Sequence, residues 1–408
     1  MEEIGQRVQR VLQASRITPR ASGSPGIWLS FLLPTAVIIG CSNNFRRSLC
    51  YTITNALIYF EGVPLLLKVF PNAFTFGEVN LAVQGLSLFI YSVFLTLNFT
   101  LAEGIPHNEI DVSSVILLLV LSWVLVFCVV PFIHRTLKQV QAIYVLGFSV
   151  AVMIYFSVLY NLDLNIFTWI WLFLIKPERI ILLSIWLVCT ALAVFIVQHH
   201  INIRKKSNTA VRKYFHVLIV AVFVPGILTD TNLLYFSSGC VLGLFGVLEV
   251  FRILNIPPLH TFLREGFTIY CDEKDAGGLA LTPICLLIGN SLPLWLHPQK
   301  VHTKETFLPL MSGILSVGVG DTCASVGGKY LGKHKWKGSI KTIEGTLFCI
   351  LSQVIFMQCL LWFSFLELTT EECLKCVIAI CITALVEAKT DQIDNIVLPL
   401  TMYILLML

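Results

Sequence analysis

The chain alternates long apolar segments with short polar ones along its whole length. Windows of roughly 18 to 22 residues with few charges recur along the chain, and a helix needs about 20 residues to cross the ~30 Å hydrocarbon core of a bilayer. The pattern predicts an all-α fold, a polytopic transmembrane helical bundle of about 12 to 14 spans. The predicted spans are 28–42, 49–67, 79–102, 112–133, 140–160, 178–198, 214–229, 236–254, 279–296, 306–320, 345–366, 373–388 and 395–408.

One apolar segment is too short to assign from its pattern. Residues 164–175 read Leu-Asn-Ile-Phe-Thr-Trp-Ile-Trp-Leu-Phe-Leu-Ile and end at Lys176-Pro177. A segment of this length is as consistent with a re-entrant or interfacial piece as with a span. The sequence leaves both options open.

The composition agrees with the pattern of apolar segments. Of 408 residues, 56% are hydrophobic and 13% are charged, and the mean hydropathy is +0.83. Soluble domains carry about 25% charged residues. A water-soluble globule is therefore excluded, because lipid must cover much of the apolar surface.

Ionisable residues are distributed unevenly between the two halves of the chain. Up to residue 198 the apolar segments carry few charges and no chemical cluster, whereas the later loops are charged and contain glycine. The basic segment 203–213 separates the two halves. We therefore expect a scaffold of lipid-facing helices at 1–198 and a catalytic membrane domain at 199–408.

The positive-inside rule assigns short loops rich in Lys and Arg to the cytoplasm. Loops 204–213 and 329–341 each carry five basic residues, and four predicted spans separate them, which places both on one face. The same parity brings 255–278 and 387–394 to that face. Two lysines in the opposite loop 297–305 weaken the asymmetry without reversing it. Four charged segments are thus expected to converge on the cytoplasmic face.

The converging segments contain the residue types of a site for a metal and a polyphosphate. Asp321 follows Gly318-Val-Gly320 where a predicted span ends, and a charge at membrane depth usually faces a cavity or a partner. Carboxylates are hard oxygen donors suited to Mg²⁺ or Ca²⁺, and lysines with exposed amides suit phosphate oxygens. The carboxylates are Asp272, Asp275, Asp321, Glu344, Asp391 and Asp394, and the lysines and glycines are Lys329, Lys333, Lys335, Lys337, Lys341, Gly327, Gly328, Gly332 and Gly338.

Each of these features also has a simpler explanation. A lysine-rich cytoplasmic loop is commonly a topology determinant that attracts anionic lipids, acidic pairs are often solvated, and Arg212-Lys-Tyr-Phe-His216 can be the basic start of a span. Their coexistence on one face is what favours a site. The chain has no Walker-type Gly-x4-Gly-Lys-Ser/Thr run and no protein-kinase signature, so a conventional nucleotide-binding fold is not expected.

Uncommon strings of residues follow one another through 199–408. The strings are Arg212-Lys-Tyr-Phe-His216, Asp272-Glu-Lys-Asp275, Gly318-Val-Gly-Asp321-Thr-x-Ala-Ser325, Lys341-Thr-x-Glu344-Gly345-Thr346 and Thr390-x-Gln-Ile-Asp394-Asn395-x-x-Leu-Pro399-Leu. In their order and spacing they resemble the dolichol kinase family. The first half of the chain resembles that family only in being a bundle of apolar spans.

The resemblance implies a multi-pass enzyme of the endoplasmic reticulum membrane with its active site facing the cytoplasm. Such an enzyme transfers the γ-phosphate of CTP to the terminal hydroxyl of dolichol and gives dolichyl phosphate for protein glycosylation. The nucleotide loop of the family follows the Gly-Asp motif, here at about 329–344. Trp336 in this loop is expected either to stack on the cytosine or to lie at the membrane interface. The implied nucleotide-binding residues are Arg212, Lys213, Lys329, Gly332, Lys333, Lys335, Trp336, Lys337, Gly338 and Thr342.

The same resemblance assigns catalytic and metal-binding roles. Asp321 is the first choice for metal binding or for activation of the alcohol, and Mg²⁺ or Ca²⁺ is the expected cofactor. Expected partners are CTP, dolichol or another polyprenol, and the bilayer, with no nucleic acid; homo-oligomerisation is left open. The implied catalytic residues are Asp321, Lys341, Glu344 and His216, and the implied metal ligands are Asp321, Asp275, Asp272 and Asp394.

Other functions fit part of the pattern. A CTP-dependent lipid cytidylyltransferase would need the same carboxylates and basic loop, and a kinase of this type could act on another isoprenoid alcohol. A transporter predicts charges within half-helices at the bilayer midplane. In this chain the charges instead lie at span ends on one predicted face.

Overall fold

The computed structural model of the protein describes residues 19–20, 22, 24–40, 45–106, 108–203, 209–271, 275, 277–296 and 304–408. Within these ranges the fold is built from helices and has no β-strand; a single antiparallel bridge joins Lys335 and Thr342. The all-α expectation is therefore confirmed. Asp272, one of the expected metal ligands, lies outside the described residues.

The helices follow one another with short connections. A 3₁₀ turn at Ile27–Phe31 precedes the first α-helix, and a π-helix at Ile314–Asp321 lies between α12 and α13. The α-helices are α1 (Leu32–Gly40), α2 (Phe45–Val69), α3 (Phe76–Glu103), α4 (Glu109–Ile133), α5 (Val140–Leu162), α6 (Ile166–Leu174), α7 (Pro177–Ile203), α8 (Thr209–Thr229), α9 (Thr231–Ile253), α10 (His260–Tyr270), α11 (Leu281–Leu296), α12 (Lys304–Leu310), α13 (Thr322–Leu331), α14 (Ile343–Trp362), α15 (Thr370–Lys389) and α16 (Asp394–Met407).

Eight helices in the described part of the chain are long and apolar enough to cross a membrane. These eight spans correspond to helices α2 to α5, α7 to α9 and α14. Three shorter apolar segments lie at Ile27–Gly40, Leu281–Leu296 and Asp394–Met407. The protein is thus a multi-pass membrane protein. The larger count of 12 to 14 spans stays a prediction.

The short apolar segment at 164–175 forms helix α6, which has 9 residues. At 1.5 Å per residue it is about 14 Å long, roughly half of what a crossing requires. The side chain of Asn165 caps its first turn by accepting hydrogen bonds from the N–H groups of Phe167 and Thr168. Of the two options that the sequence left open, the length of α6 favours the re-entrant or interfacial piece.

Polar residues set the starts of several helices. The Asp230 side chain accepts from Leu233 N at α9, and the Thr342 side chain accepts from Gly345 N at α14. Thr369 and Glu372 form a reciprocal capping box at α15. Such caps satisfy N–H groups that a helix leaves unpaired at its first turn, so the boundaries follow local chemistry as well as hydropathy.

The chain divides into two compact units that are not contiguous in sequence. The first draws on the described residues within Met1–Leu88, Ser207–Val224 and Cys271–Leu408, and the second on those within Phe89–Lys206 and Pro225–Tyr270. Residues before Leu88 thus pack in the same unit as the charged C-terminal segments. The functional division at residue 198 stays a prediction.

Helix α16 lies at the centre of the first unit. It packs against α1, α11, α12, α15 and the π-helix. Its residues Met402 and Tyr403 are fully buried, and Leu398 joins a core cluster with Leu286 and Val317. The apolar run that the sequence predicted as the last span is therefore enclosed by protein, and the start of this helix is fixed beside the other elements of the unit.

The second unit is organised around α4, which packs against α5 and α9. A buried ion cluster ties its helix ends together. Arg179 pairs with Glu109, donates from Nε to Asp230 Oδ2 at 2.5 Å and from Nη1 to Phe173 O at 2.6 Å. Because each charge has a hydrogen-bonded partner, the burial of Arg179 is compensated within the unit.

Candidate functional site

The π-helix carries Asp321 at its C-terminal end and fits closely between two neighbours. A Cβ atom at Gly318 would lie 2.4 Å from Cγ2 of Val220 in α8, and one at Gly320 would lie 2.5 Å from Nε2 of Gln353 in α14. Both distances are below van der Waals contact, so these positions require glycine. π-Helical turns are often found at functional sites, and here the wide turn ends on a buried carboxylate.

Asp321 is 2% exposed and forms a buried ion pair with Lys213 of α8. The same oxygen, Oδ2, lies 3.4 Å from Nε2 of His216, one turn further along α8. Positions three apart on a helix share a face, which explains why both side chains reach Asp321. Lys213, an expected nucleotide-binding residue, and His216, an expected catalytic residue, thus both lie beside Asp321.

His216 also connects this carboxylate to the start of α16. Its Nε2 lies 3.2 Å from Oδ1 of Asn395, and the Asn395 amide donates to the carbonyl oxygen of Thr282 at 3.2 Å. Nδ1 of His216 is buried and has no hydrogen-bond partner among the described residues. Nε2 of His216 therefore lies near both Asp321 and Asn395, while Nδ1 is unpaired within the described chain.

Asp275 has a local structural role in the described geometry. Its Oδ1 accepts from Leu281 N at 2.9 Å and from Thr282 N at 3.1 Å, and its Oδ2 lies 3.0 Å from Thr282 Oγ1. These contacts cap the start of α11 and fix Thr282, whose carbonyl holds Asn395. Asp275 is therefore joined to the site through α11; its expected role as a metal ligand stays a prediction.

A second ion pair lies beside the first. Lys341 Nζ is 2.6 Å from Glu387 Oε1 and 2.5 Å from the Glu387 carbonyl oxygen. Glu387 is buried near the end of α15, within electrostatic range of Asp321 and Asp394. The charged segments 329–341 and 387–394, predicted to share one face, therefore meet at this pair.

The loop between α13 and α14 is held by backbone pairing. Trp336 N donates to Lys341 O at 3.0 Å, and Ile343 N donates to His334 O at 2.8 Å. The Trp336 indole N–H donates to Thr346 Oγ1 at 2.9 Å, and Lys389 Nζ lies 5.0 Å from the ring centroid. Trp336 therefore anchors the loop on α14, while its stacking on a base stays a prediction.

Glu344 is also engaged in holding this loop. Its Oε1 lies 2.6 Å from Nδ1 of His334, and its two oxygens accept from the backbone N–H of His334 at 3.2 and 3.1 Å. Glu344 sits in the first turn of α14, where a negative charge is favourable. The geometry gives it a positioning role, and the expected catalytic role is untested.

Thr342 and Gly332 make the close contact between α13 and α14. A Cβ at Gly332 would lie 2.2 Å from the Gly328 carbonyl oxygen and 2.7 Å from Cγ2 of Thr342. Thr342 Oγ1 already accepts from Gly345 N at 3.1 Å. The two residues, both expected to bind nucleotide, thus pack the helical hairpin from which the loop projects.

The remaining loop lysines point to solvent. Lys329, Lys333, Lys335 and Lys337 are exposed, and none of them has an acidic partner in the ranges that the structure describes. Gly338 has a φ of 75° with open space around its α-carbon. A cluster of exposed ammonium groups without acidic partners is suited to the oxygens of a polyphosphate.

Arg212 and Asp394 border the centre. Arg212 is half-buried on α8, one residue before Lys213. Asp394 is the first residue of α16, and its Oδ1 accepts from Asn395 N at 3.1 Å. Both residues therefore belong to the elements that form the site, next to Lys213 and Asn395.

The carboxylates fit a divalent cation in part. Asp321, Glu387 and Asp394 are hard oxygen donors, but no group of three His, Cys, Asp or Glu side chains among the described residues could hold a metal ion. Mg²⁺ commonly binds one or two carboxylates together with substrate phosphates and water. A metal at this site would therefore need oxygens from a nucleotide and from water, and the expected metal-binding roles of Asp321 and Asp394 stay predictions.

Sequence reasoning missed residues that support the site. Asn395 directly follows Asp394 in the sequence but nothing in the pattern assigns it a role, and the same is true of Thr282 and Gln353. Their chemistry is ordinary in a sequence; only the fold places the Asn395 amide beside His216. A buried amide at the first turn of an apolar helix was the available signal, since buried polar groups need partners.

The fold and the site together define a class of protein. It is a multi-pass helical membrane protein with buried lysine–carboxylate pairs beneath a lysine-rich loop. This combination is suited to bringing a water-soluble polyphosphate to the surface of a bilayer.

Comparison with known proteins identifies the family. The family model described as dolichol kinase matches residues 52–346. The chain is 34% identical to the dolichol kinase of Homo sapiens over 385 residues, which cover 84% of this chain and 66% of the relative. For the dolichol kinase of Mus musculus the values are 34%, 84% and 67%, and for that of Bos taurus 33%, 87% and 69%. The chain belongs to the dolichol kinase family.

The match does not cover the relatives completely. The chain spans about two thirds of the length of these mammalian proteins. No solved structure matches the chain significantly. The family assignment therefore rests on sequence, and the geometry of the site comes from this structure alone.

Proposed function

We propose that the protein phosphorylates the terminal hydroxyl of dolichol with CTP as the phosphate donor. The observation that carries the proposal is the buried Asp321, paired with Lys213 and His216 directly beside the Lys341–Glu387 pair and the lysine loop. Membership of a family whose relatives are named dolichol kinase supports the acceptor. The choice of CTP follows from the resemblance in sequence.

The location of the charged groups suits two substrates of opposite solubility. A polyprenol is too apolar to leave the bilayer, while a nucleoside triphosphate cannot enter it. Reaction between them requires a polar centre at the ends of membrane helices, and Lys213, Asp321 and Lys341 lie at such ends. We accordingly propose that the protein lies in the endoplasmic reticulum membrane and that these helix ends face the cytoplasm.

The described contacts suggest how the residues divide the work. Lys213 and His216 both contact Oδ2 of Asp321, so we assign Oδ1 to the incoming hydroxyl. Asp321 then accepts the alcohol proton as the oxygen attacks the γ-phosphorus, the bond from the γ-phosphorus to the β–γ bridging oxygen breaks, and CDP leaves. Lys213 stabilises the negative charge of the transferring group. Phosphoryl transfer depends mainly on such positioning and charge neutralisation.

The nucleotide would be held by the loop and a divalent cation. Lys329, Lys333, Lys335 and Lys337 supply ammonium groups for its phosphates, and Lys341 fixes the base of the loop through Glu387. Asp394 would hold Mg²⁺ or Ca²⁺ together with the phosphate oxygens, and the ion on binding would neutralise their charge. Dolichol is the proposed acceptor.

The proposal is tested with the full chain purified in detergent. The protein is incubated with dolichol, Mg²⁺ or Ca²⁺, and CTP labelled at either the γ or the α phosphorus. We expect the γ label, and not the α label, in dolichyl phosphate. Asp321→Asn should lower turnover by about 10²–10⁴-fold, the usual range for loss of a general base.

The matched control is Asp163→Asn. Asp163 is an exposed aspartate in the second unit with a φ of 46°, a conformation that asparagine tolerates. The control should keep parental turnover. Transfer of the α label would instead indicate a cytidylyltransferase, and absence of both labels from the lipid would overturn the kinase proposal.

A further inference from the structure

A buried cluster joins the N-terminal segment to the start of α3. Nη2 of Arg20 lies 2.6 and 2.7 Å from the two carboxylate oxygens of Glu78. Arg20 is 7% exposed and Glu78 is 5% exposed. The Arg20 backbone N–H also donates to Phe74 O at 2.7 Å. A charge pair this well enclosed is costly to break, because either partner alone would be left buried and uncompensated.

The same cluster hydrogen-bonds to the segment before α16. Gln392 is 1% exposed; its Nε2 donates to Ser24 O at 2.9 Å, and its Oε1 accepts from Thr75 Oγ1 at 2.6 Å. A Cβ at Gly26 would lie 2.5 Å from Gln392 Oε1, and Gly26 has a φ of 68°. The N-terminal segment therefore wraps closely around the Gln392 side chain. We call Arg20, Ser24, Thr75, Glu78 and Gln392 the N-terminal clamp.

One contact of the clamp bears directly on the site. Glu78 Oε1 accepts from the backbone N–H of Ile393 at 3.0 Å. Ile393 precedes Asp394 and Asn395, the first residues of α16. Glu78 therefore fixes the backbone one residue before the expected metal ligand and two residues before the amide that lies beside His216.

We propose that the N-terminal clamp positions Asn395, and through it His216 and Asp321, for phosphoryl transfer. The inference rests on the proposed function, since it names positioning residues for that reaction. Arg20 and Glu78 are placed in the clamp, away from substrate and from the reacting atoms.

The start of α16 has little freedom to adjust if the clamp loosens. A Cβ at Gly289 of α11 would lie 1.9 Å from the Asn395 carbonyl oxygen, and the Asn395 amide reaches Thr282 O at 3.2 Å. Movement of Ile393 therefore shifts Asn395 against both α11 and His216. A misplacement of about 1 Å at a reacting centre can lower a rate 10²-fold, so loss of the clamp should appear in turnover.

The test compares two matched neutralisations in the full chain. Glu78→Gln and Asp230→Asn each remove the charge of a carboxylate that pairs with a buried arginine and accepts a backbone N–H, from Ile393 and Leu233 respectively. Glu78 is buried and Asp230 is partly buried. Melting temperature in detergent, kcat, and KM for CTP are measured for each. Gln392→Leu, which removes clamp hydrogen bonds without burying an unpaired charge, is the second clamp variant.

We expect both neutralisations to lower the melting temperature, but only Glu78→Gln to lower kcat, by about 10-fold or more, with KM for CTP within about threefold of the parent. Gln392→Leu should lower kcat by about 3- to 10-fold with the same split. Equal kcat losses in Glu78→Gln and Asp230→Asn, or parental kcat in Gln392→Leu, would overturn the clamp proposal. An inactive parent would count against the proposed function instead, so the two failures are distinguishable.

Discussion

Replacing Lys213 by methionine should destabilise the fold by leaving Asp321 without its buried partner. The Lys213 and Asp321 side chains are 11% and 3% exposed, so water cannot solvate the isolated carboxylate. Breaking one partner of a buried pair usually costs about 3–5 kcal/mol. His216 Nε2 remains 3.4 Å from the same oxygen and offers partial compensation, which places the expected loss near 3 kcal/mol, or about 10²-fold in the unfolding equilibrium.

The destabilisation should be reversed by a second change. Lys213→Met combined with Asp321→Asn removes both charges, and replacing a buried pair by neutral groups of similar volume is often close to neutral for stability. The free energy of unfolding is measured by denaturant titration in mixed micelles for the parent, both single variants and the double variant. Turnover is measured on the same samples.

The expected pattern separates stability from function. The double variant should regain most of the lost stability and yet remain inactive, since Asp321 is the proposed proton acceptor. Lys333→Met, at an exposed position without an acidic partner, should stay within about 0.5 kcal/mol of the parent. The reasoning would be refuted by a loss of stability below about 1 kcal/mol in Lys213→Met, or by no recovery of stability in the double variant. Either result would show that removing Lys213 does not leave Asp321 as a buried, uncompensated charge.

Other outcomes follow from the loop and from the π-helix. Changing Lys333, Lys335 and Lys337 together to glutamine should raise KM for CTP by at least about 10-fold. The melting temperature should stay unchanged, because all three lysines are exposed. Lys138→Gln in the second unit is the control, and an unchanged KM in the triple variant would remove these lysines from nucleotide binding. Gly320→Ala should cost about 1–3 kcal/mol of stability by overpacking, since its Cβ would lie 2.5 Å from Gln353 Nε2; Gln353→Ala should relieve part of that loss, and a melting temperature equal to the parent's would contradict the close packing.

The apolar pattern predicted where the helices lie because a span is a local property of about 20 residues. Span parity then predicted that 204–213, 329–341 and 387–394 share one face. The Lys341–Glu387 contact joins the last two segments, and Lys213 of the first pairs with Asp321 at the end of the π-helix. Both steps use only sequence order and charge. Neither could choose which carboxylate each lysine meets, because those partners are 108 and 46 residues apart.

The sequence pattern could not distinguish residues that bind substrates from residues that stabilise the fold. Glu344 and Asp275 resemble site carboxylates in sequence, yet in the fold Glu344 pairs with His334 and Asp275 caps α11. Nothing in the sequence around Arg20 indicates that its partner is Glu78, 58 residues away. A charged residue reveals its role only when its partners are known, and those partners depend on tertiary packing.

The pairing of charges in this protein separates two kinds of lysine. Lys213 and Lys341 are already neutralised by Asp321 and Glu387, so their geometry is fixed before any substrate binds. Lys333, Lys335 and Lys337 are exposed and have no acidic partner in the described chain, so a nucleotide gains attraction from them without first breaking an ion pair. Because preformed donors need no reorganisation during reaction, the buried Lys213 is suited to the transferring phosphoryl group. The exposed ones are suited to capturing the triphosphate from water.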